Sequence, residues 1–330
     1  MNSVLLARYA EAIFWLARFM ERAENLARIL DVNETFSRDS RGGQNWLSIV
    51  QLNADEKRFF AKHPLATAEA VLRFYVIDME NPTSIAASIR NARENARTLR
   101  PLISTEMWTQ INVFYNRLRG LTPADLAAGG LTKLFASIKE SCQTHTGITE
   151  GTFFRDQGWY FYQLGRYIER ADQATRLVDI KYHLLLPRNQ DVGSAIDVSQ
   201  WNTLLRSAAG YHAFRRIHST GITPARVAGF LLFNQRFPRS VSLCVREVDQ
   251  LLTELKSRYA LRGGNDAAEQ TDELRAILSS HTIEQILATG LHEFIDLVQV
   301  RMASITTQLG IAFFGHPSND ASIMGDVVPQ

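Results

Sequence analysis

The sequence contains little cysteine, since Cys142 and Cys244 are the only two among its 330 residues. Neither belongs to a C-x-x-C motif, which argues against a dithiol redox site and against a cysteine-rich zinc site. Isolated thiols of this kind are typical of a reducing compartment and are most often buried in a protein core. We therefore expect two structural cysteines in a cytoplasmic protein.

Long apolar runs are missing from the start of the sequence as well. Arg8, Glu11 and Arg18 interrupt it before it reaches the roughly 18 apolar residues that a membrane span needs. No basic segment followed by an apolar stretch and a small-residue cleavage site is present, so we expect no signal peptide. Charge of one sign is not in excess either, because 36 Lys and Arg stand against 34 Asp and Glu. This balance predicts neither a nucleic-acid nor a membrane partner, and any anion site must be local.

The sequence also lacks the common cofactor motifs. It contains no GxxxxGK[ST] phosphate loop, no GxGxxG fingerprint and no GxSxG elbow. A di-iron bundle needs Glu-x-x-His on two helices, whereas the reverse order occurs once, as HTIE at 281–284. The eight histidines and two cysteines do not cluster at zinc-ligand spacing. We expect no cofactor and no metal.

Apolar residues recur at intervals of three and four along nearly every long segment, and β-type alternation is hard to find. We predict an all-α fold, a large helical bundle that forms one domain over 1–314 with a loose tail at 315–330. Thr83 or Ser84 should cap one helix, and Pro224 should occupy the first turn of another. The predicted helices are 3–37, 64–79, 84–100, 104–119, 131–146, 156–186, 199–218, 224–234, 239–261, 267–279 and 290–314.

One helical segment occurs twice. FMERAENLARILD at 19–31 returns as YIERADQATRLVD at 167–179. The identical positions include the Glu-Arg pairs and a later aspartate, Asp31 and Asp179. This pseudo-repeat predicts two related long helices, either from a duplication with halves of about 1–146 and 147–314 or from two copies of one local device. Both helices must bury a broad apolar face, so we expect them to pack together in one domain.

The repeated helix carries a polar stripe opposite that apolar face. A solvated face with intrahelical pairs, such as Glu21 with Arg18 and Glu24 with Arg28, is one interpretation. The alternative is a partly buried pocket, because every cation of the stripe is arginine, which forms bidentate pairs. The candidate ligand-binding residues of the two stripes are Arg18, Glu21, Arg22, Arg28, Arg166, Glu169, Arg170 and Arg176.

Two further segments contain clusters of basic residues. Arg90, Arg93 and Arg97 share one helix face, which predicts either an anion-binding ridge or a solvated face. The segment YHAFRRIHS at 211–219 combines histidines with arginines, but no nucleophile stands in a recognisable setting nearby. A local hydrogen-bonding role is the simpler interpretation there.

Four stretches together resemble the bacterial Alpha-E family, an all-helical domain with an ER motif. They are YAEAIFWLARFMERAENLARILDVN, NPTSIAASIRNARENARTLRPLISTEMWTQIN, DQGWYFYQLGRYIERADQATRLVD and FPRSVSLCVREV. The resemblance runs from about residue 3 to about 310 and places the motif at Glu21, Arg22, Glu169 and Arg170. It implies a setting beside a circularly permuted ATP-grasp ligase, in peptide synthesis or modification.

Three functions remain open at this point. The first is a helical component that binds an acidic peptide substrate, an activated carboxyl intermediate or the ligase through its arginines. The second is an enzyme of acyl or amide transfer or rearrangement, with Glu21 or Glu169 as the base and arginines stabilising an oxyanion. The third is a structural scaffold. The sequence shows recognition groups but no nucleophile, which favours the first.

Overall fold

The computed structural model describes residues 5–39, 46–127, 129–184, 195–219 and 221–317, and within these ranges every regular element is helical. The predicted all-α class is confirmed. A 3₁₀ turn lies at Pro123–Leu126, and a π turn at Gly310–Phe314 extends the last helix. The α-helices are α1 Ala7–Asp39, α2 Leu47–Leu52, α3 Glu56–Phe60, α4 Ala68–Val76, α5 Ile85–Thr98, α6 Thr105–Arg119, α7 Leu131–Thr152, α8 Gln157–Leu184, α9 Ala195–Ser207, α10 Tyr211–Ile217, α11 Pro224–Phe233, α12 Val241–Tyr259, α13 Asn265–Ser280, α14 Ile283–Thr289 and α15 Leu291–Leu309.

The two repeated helices, α1 and α8, lie against each other at the centre of the fold. α1 also packs on α5, α7 and α9, and α8 also packs on α12 and α15. The backbones come closest at Gly165, where a Cβ atom would lie 2.3 Å from the carbonyl oxygen of Phe14 and 3.3 Å from Ala17 Cβ. The absence of a side chain permits this approach. The predicted packing of the two helices is therefore confirmed, while the duplication and the single domain remain predictions.

Local start signals set the helix boundaries where we expected them. Ser84 Oγ accepts a hydrogen bond from the Ala87 amide at 3.0 Å, so Ser84 is the cap of α5. Pro224 occupies the first turn of α11 behind a Thr223 cap. These caps satisfy amides that the helix itself leaves without acceptors.

One predicted helix was wrong in its continuity. The segment 199–218 is split into α9 and α10, because Ala209 takes a left-handed conformation with φ of 58° and Gly210 starts the next helix. A Cβ at Gly210 would lie 3.0 Å from the rings of both Phe230 and Phe237, so tertiary packing favours glycine there. The short helices α2, α3 and α14 were not predicted. Most of the predicted tail, 318–330, lies outside the described residues.

The segment Leu291–Phe314 is long and apolar enough, with a mean hydropathy of 1.2, to cross a membrane by length and composition alone. Core helices of soluble proteins share this property. Here Ile295, Val298 and Met302 are buried, and α15 packs on α8 and α13. This packing covers these three side chains, whereas Leu297 and Val300 of the same helix are exposed.

Candidate functional site: an arginine–glutamate network

Glu169 of α8 is fully buried and is held by two arginines of α1. Arg18 Nε donates to Glu169 Oε2 at 2.7 Å. Arg22 forms a bidentate pair with the same carboxylate, donating from Nε to Oε1 at 2.8 Å and from Nη2 to Oε2 at 3.0 Å. The arginines lie one helical turn apart, so both can converge on one carboxylate of the facing helix. Arg18 was expected to reach Glu21 on its own helix and instead crosses to α8, where it is the second arginine that donates to Glu169.

Glu21 of α1 has the reciprocal arrangement with only 4% of its surface exposed. Arg170 of α8 donates through Nε and Nη2 to Glu21 Oε1 at 2.8 and 2.6 Å. The second oxygen, Oε2, accepts from Arg239 Nη1 at 3.0 Å, and the same nitrogen lies 2.6 Å from Asn25 Oδ1. The Glu of each copy therefore pairs with the Arg of the other.

The charges of these arginines fix the ionisation of both glutamates. Burial by itself raises the pKa of Glu21, but the charges of Arg239 and Arg170 outweigh burial and lower it to about 2. For Glu169, burial is likewise outweighed by Arg22 and Arg18, and the pKa falls to about 2. Because a carboxylate with so low a pKa holds a proton weakly, either glutamate would be a poor general base at neutral pH.

Intrahelical pairs complete the network. The expected four-residue pair is confirmed, with Arg28 Nη2 at 2.5 Å from Glu24 Oε1. Its counterpart on α8 is Arg176 Nε with Asp172 Oδ2 at 2.9 Å. Glu24 Oε1 also accepts from Arg239 Nη2 at 3.2 Å, so Arg239 links both glutamates of α1.

The two copies differ at the position before the motif. Arg18 pairs with Glu169, but its counterpart Arg166 donates instead to Glu150 of α7 at 3.1 Å. Gln163 donates to the same Glu150 oxygen at 3.0 Å. The network therefore reaches α7 on one side and the start of α12 on the other.

Aromatic rings hold several of the guanidinium groups in place. Arg18 lies 4.7 Å from the Trp15 ring centroid, and Arg166 lies 5.2 Å from that of Tyr167. Cation–π contacts of this kind orient arginine without consuming its N–H donors.

Within the described part of the chain, eight arginines share five carboxylates, which leaves a local excess of positive charge. The arginines are Arg18, Arg22, Arg28, Arg155, Arg166, Arg170, Arg176 and Arg239, and the carboxylates are Glu21, Glu24, Glu150, Glu169 and Asp172.

The second arginine cluster stands apart from the network in its contacts. Arg90 donates to the Met79 carbonyl at 3.2 Å, and Arg93 donates to Asn112 at 2.7 Å. Arg97 pairs with Glu94 at 2.7 Å and is 68% exposed. These contacts join no residue of the network, so the ridge is a separate surface of α5.

Both cysteines are buried, as expected. Burial raises the pKa of Cys244 to about 12 and raises that of Cys142 well above its ordinary value. Thiols with such high pKa values are poor nucleophiles at neutral pH.

Three side chains outside the network could hold a metal ion by their chemistry, namely Asp179 of α8 with His292 and Asp296 of α15. His292 Nδ1 lies 2.8 Å from Asp179 Oδ1, and Nε2 lies 3.4 Å from Asp296 Oδ2. With each ring nitrogen facing a carboxylate, the geometry suits a protonated imidazole that bridges two aspartates. The absence of a metal remains a prediction.

Sequence reasoning missed Arg239 and Glu150. Arg239 stands in FPRSVSLCVREV, one of the stretches that carried the family resemblance, at the first residue of the predicted helix 239–261 and outside both repeated stripes; in the structure it precedes the Ser240 helix cap. Glu150 lies near the end of α7, beyond the predicted boundary of that helix.

A family model described as a predicted alpha-helical domain with a conserved ER motif matches residues 5–314. The chain belongs to the Alpha-E family. The Glu-Arg pairs that we expected to carry the motif are the ones at the centre of the network.

The relatives that match are uncharacterized proteins of mycobacteria. One from Mycobacterium bovis and one from Mycobacterium tuberculosis are each 25% identical to the chain over 310 residues. The match covers 86% of this chain but 34% of each relative, so the chain spans about a third of their length. No solved structure matches the chain.

Proposed function

We propose that this Alpha-E protein is a binding component of a bacterial peptide synthesis or modification system, working with a circularly permuted ATP-grasp ligase. It binds a carboxylate or an acyl phosphate of the peptide substrate or of its activated intermediate. The observation that carries the proposal is the arginine excess of the network. Partly buried arginines that outnumber their carboxylates favour an additional anion.

The anion site lies on the side of the network around Glu169. Arg18 and Arg176 each use only Nε for a hydrogen bond to a described residue, so their terminal amino groups remain as donors. Burial alone would lower the pKa of Arg176, yet the charges of Asp172 and Glu169 raise it, so Arg176 lies within electrostatic range of the buried glutamate. Arg22, also beside Glu169, is 22% exposed and contributes a third cation.

A binding titration tests this proposal. The purified chain is titrated calorimetrically with acetyl phosphate and with a glutamate-rich peptide. Arg176→Gln should weaken binding roughly 10- to 150-fold, since a hydrogen bond between charged groups contributes roughly 1.5–3 kcal/mol. Arg301→Gln, on the exposed face of α15 beside Glu273, is the matched control and should bind like the parent. Equal affinity of parent and Arg176→Gln would overturn the proposed site.

The partner is tested separately. A circularly permuted ATP-grasp ligase, the proposed partner, is incubated with ATP and the candidate peptide, with and without this chain, and the peptide mass is measured. A mass change that requires this chain supports the proposed setting. The same change without it would contradict the setting.

A structural role is the second candidate, and the reciprocal pairs favour it. Arg22 with Glu169 and Arg170 with Glu21 join α1 to α8 in both directions. If neither anion binds while network substitutions lower the melting temperature, the network serves only to hold the two helices.

A further inference from the structure

We propose that a cleft at the C-terminal part of α1 binds a second ligand, a small molecule that carries a carboxylate or a phosphate group. The cleft has a volume of about 710 Å³ and lies between α1, α9 and α10. Small-molecule sites in proteins usually have about 300–1,000 Å³. The site is separate from the Glu-Arg network, so it stands or falls independently of the proposed function.

The lining is mostly polar. Side chains with hydroxyl, amide or charged groups provide it, namely Asp31, Thr35, Ser199, Asn202, Thr203, Arg206, Tyr211 and His212. Thr203 Oγ donates to the Ser199 carbonyl at 3.1 Å, which keeps its lone pairs available to accept hydrogen bonds. Such a lining suits a small polar molecule rather than an apolar one.

Arg206 supplies the anchor. Every arginine of the network has a carboxylate partner, whereas Arg206 makes no ion pair and no hydrogen bond with the described residues. Its guanidinium lies 4.5 Å from the ring centroid of Tyr211. A guanidinium stacked on a ring keeps its N–H edge for a planar oxyanion, and carboxylate and phosphate both fit that edge bidentately.

The charges around the cleft agree with an anionic ligand. Asp31 is paired with Lys139 of α7, with Nζ 2.6 Å from Oδ2, so its charge is compensated. His212 is exposed beside Tyr211, with their ring centroids 5.2 Å apart, and adds a second nitrogen donor near Arg206. The mouth of the cleft therefore presents the Arg206 cation and the His212 ring, and half-buried Asn202 and Thr203 present neutral hydrogen-bonding groups.

The test is a titration of the full chain with inorganic phosphate and, in a second arm, with succinate, followed by calorimetry and by the NMR signals of the histidine rings. Binding should shift the His212 signals and should weaken at least tenfold in Arg206→Gln. Arg216→Gln is the matched control, because Arg216 is exposed on the same helix, α10, but does not line the cleft. The arm that binds more tightly identifies the oxyanion.

Three results would overturn the inference: no binding of either probe, equal binding by parent and Arg206→Gln, or equal loss in Arg216→Gln. Tyr211→Leu adds a check on the anchor and should weaken binding while the circular dichroism spectrum stays helical. Arg176→Gln should leave this binding unchanged, which separates the cleft from the network site.

Discussion

Glu21 and Glu169 occupy equivalent positions in the two copies of the motif, yet their surroundings differ. Both arginine partners of Glu169 come from one helix, α1, and Arg22 binds it with two nitrogens on two oxygens, while Gln173 of α8 donates to Oε1 at 3.4 Å. Glu21 divides its oxygens between Arg170 of α8 and Arg239, which precedes α12. The ion pairs of Glu169 thus connect two helices, α1 and α8. Those of Glu21 connect α1 to α8 and to the segment that precedes α12.

This difference shows how the same Glu-Arg pair has a different structural role in each of the two helices. The Glu-Arg pair ensures that two crossing helices exchange ion pairs, because each supplies one cation and one anion at the crossing. The third partner depends on which element lies next to each helix. Arg239, which donates to Glu21, also donates to Asn25 and Glu24 of α1. Arg239 would therefore keep two acceptors if Glu21 were removed.

The largest expected effect separates the two glutamates. Glu169→Ala leaves Arg18 and Arg22 without their carboxylate in a buried interface and should lower the free energy of unfolding by roughly 3–5 kcal/mol. Glu21→Ala should cost less, because Arg239 keeps Glu24 and Asn25. Urea unfolding of both variants measures the difference. Equal losses would show that the redundancy around Arg239 has no energetic weight.

The two motif arginines should also respond unequally to lysine. Arg22→Lys removes a pair that uses both glutamate oxygens and should lower the free energy of unfolding by roughly 1.5–3 kcal/mol. Arg170→Lys should cost less, since Arg170 contacts only Glu21 Oε1 and a lysine can approach that oxygen. Thermal melts of the pair decide the order. A larger loss of stability in Arg170→Lys than in Arg22→Lys would contradict the idea that the two-oxygen contact of Arg22 is the stronger one.

The crossing point itself is asymmetric, with Ala17 in α1 opposite Gly165 in α8. Gly165→Ala should force the helices apart and destabilise the fold by roughly 1–3 kcal/mol, because the new methyl would meet the Phe14 carbonyl. Gly147→Ala in α7 is the control, since a Cβ there meets nothing within 4 Å. It should stabilise the helix by about 0.5–1 kcal/mol. If denaturant titrations gave both variants a change in the free energy of unfolding of the same sign, the close approach of Gly165 to Phe14 would be refuted.

The smallest effect concerns the aspartates that end each copy. Asp31 pairs with Lys139, whereas Asp179 pairs with His292. The hydrogen bond to Asp179 raises the pKa of His292, with Asp296 and Glu293 adding to the shift. The resulting stabilisation is present in full below the unfolded pKa of about 6.5 and is lost as pH rises through the higher folded value. The melting temperature relative to His292→Gln should therefore fall as pH rises above neutral. A constant difference across this range would show that the imidazole is not bridging in its charged form.

Many of the helix boundaries could be predicted from residues close to them in the sequence. Residues such as Ser84 and Pro224 act on the helix turn beside them, so their effect is visible within a few residues of sequence. The split between α9 and α10 was missed because the rings that crowd Gly210 come from Phe230 and Phe237, well outside any local window. The candidate site divides in the same way, since the motif glutamates and arginines were recognised and Arg239 was not.

The amino-acid pattern was enough to predict that the protein is helical, that two of its helices carry the same Glu-Arg pair, and that arginine supplies every cation of the repeated stripe. Periodicity and residue chemistry act over one or two helical turns, so they can be recognised before the fold is known. The burial of both glutamates, the pairing of each with the other copy, and the contact of Arg239 with Glu21, 218 residues away, follow from how the helices pack. Charge pairing depends on distance in space, and at such separations the chain path alone brings the two groups together.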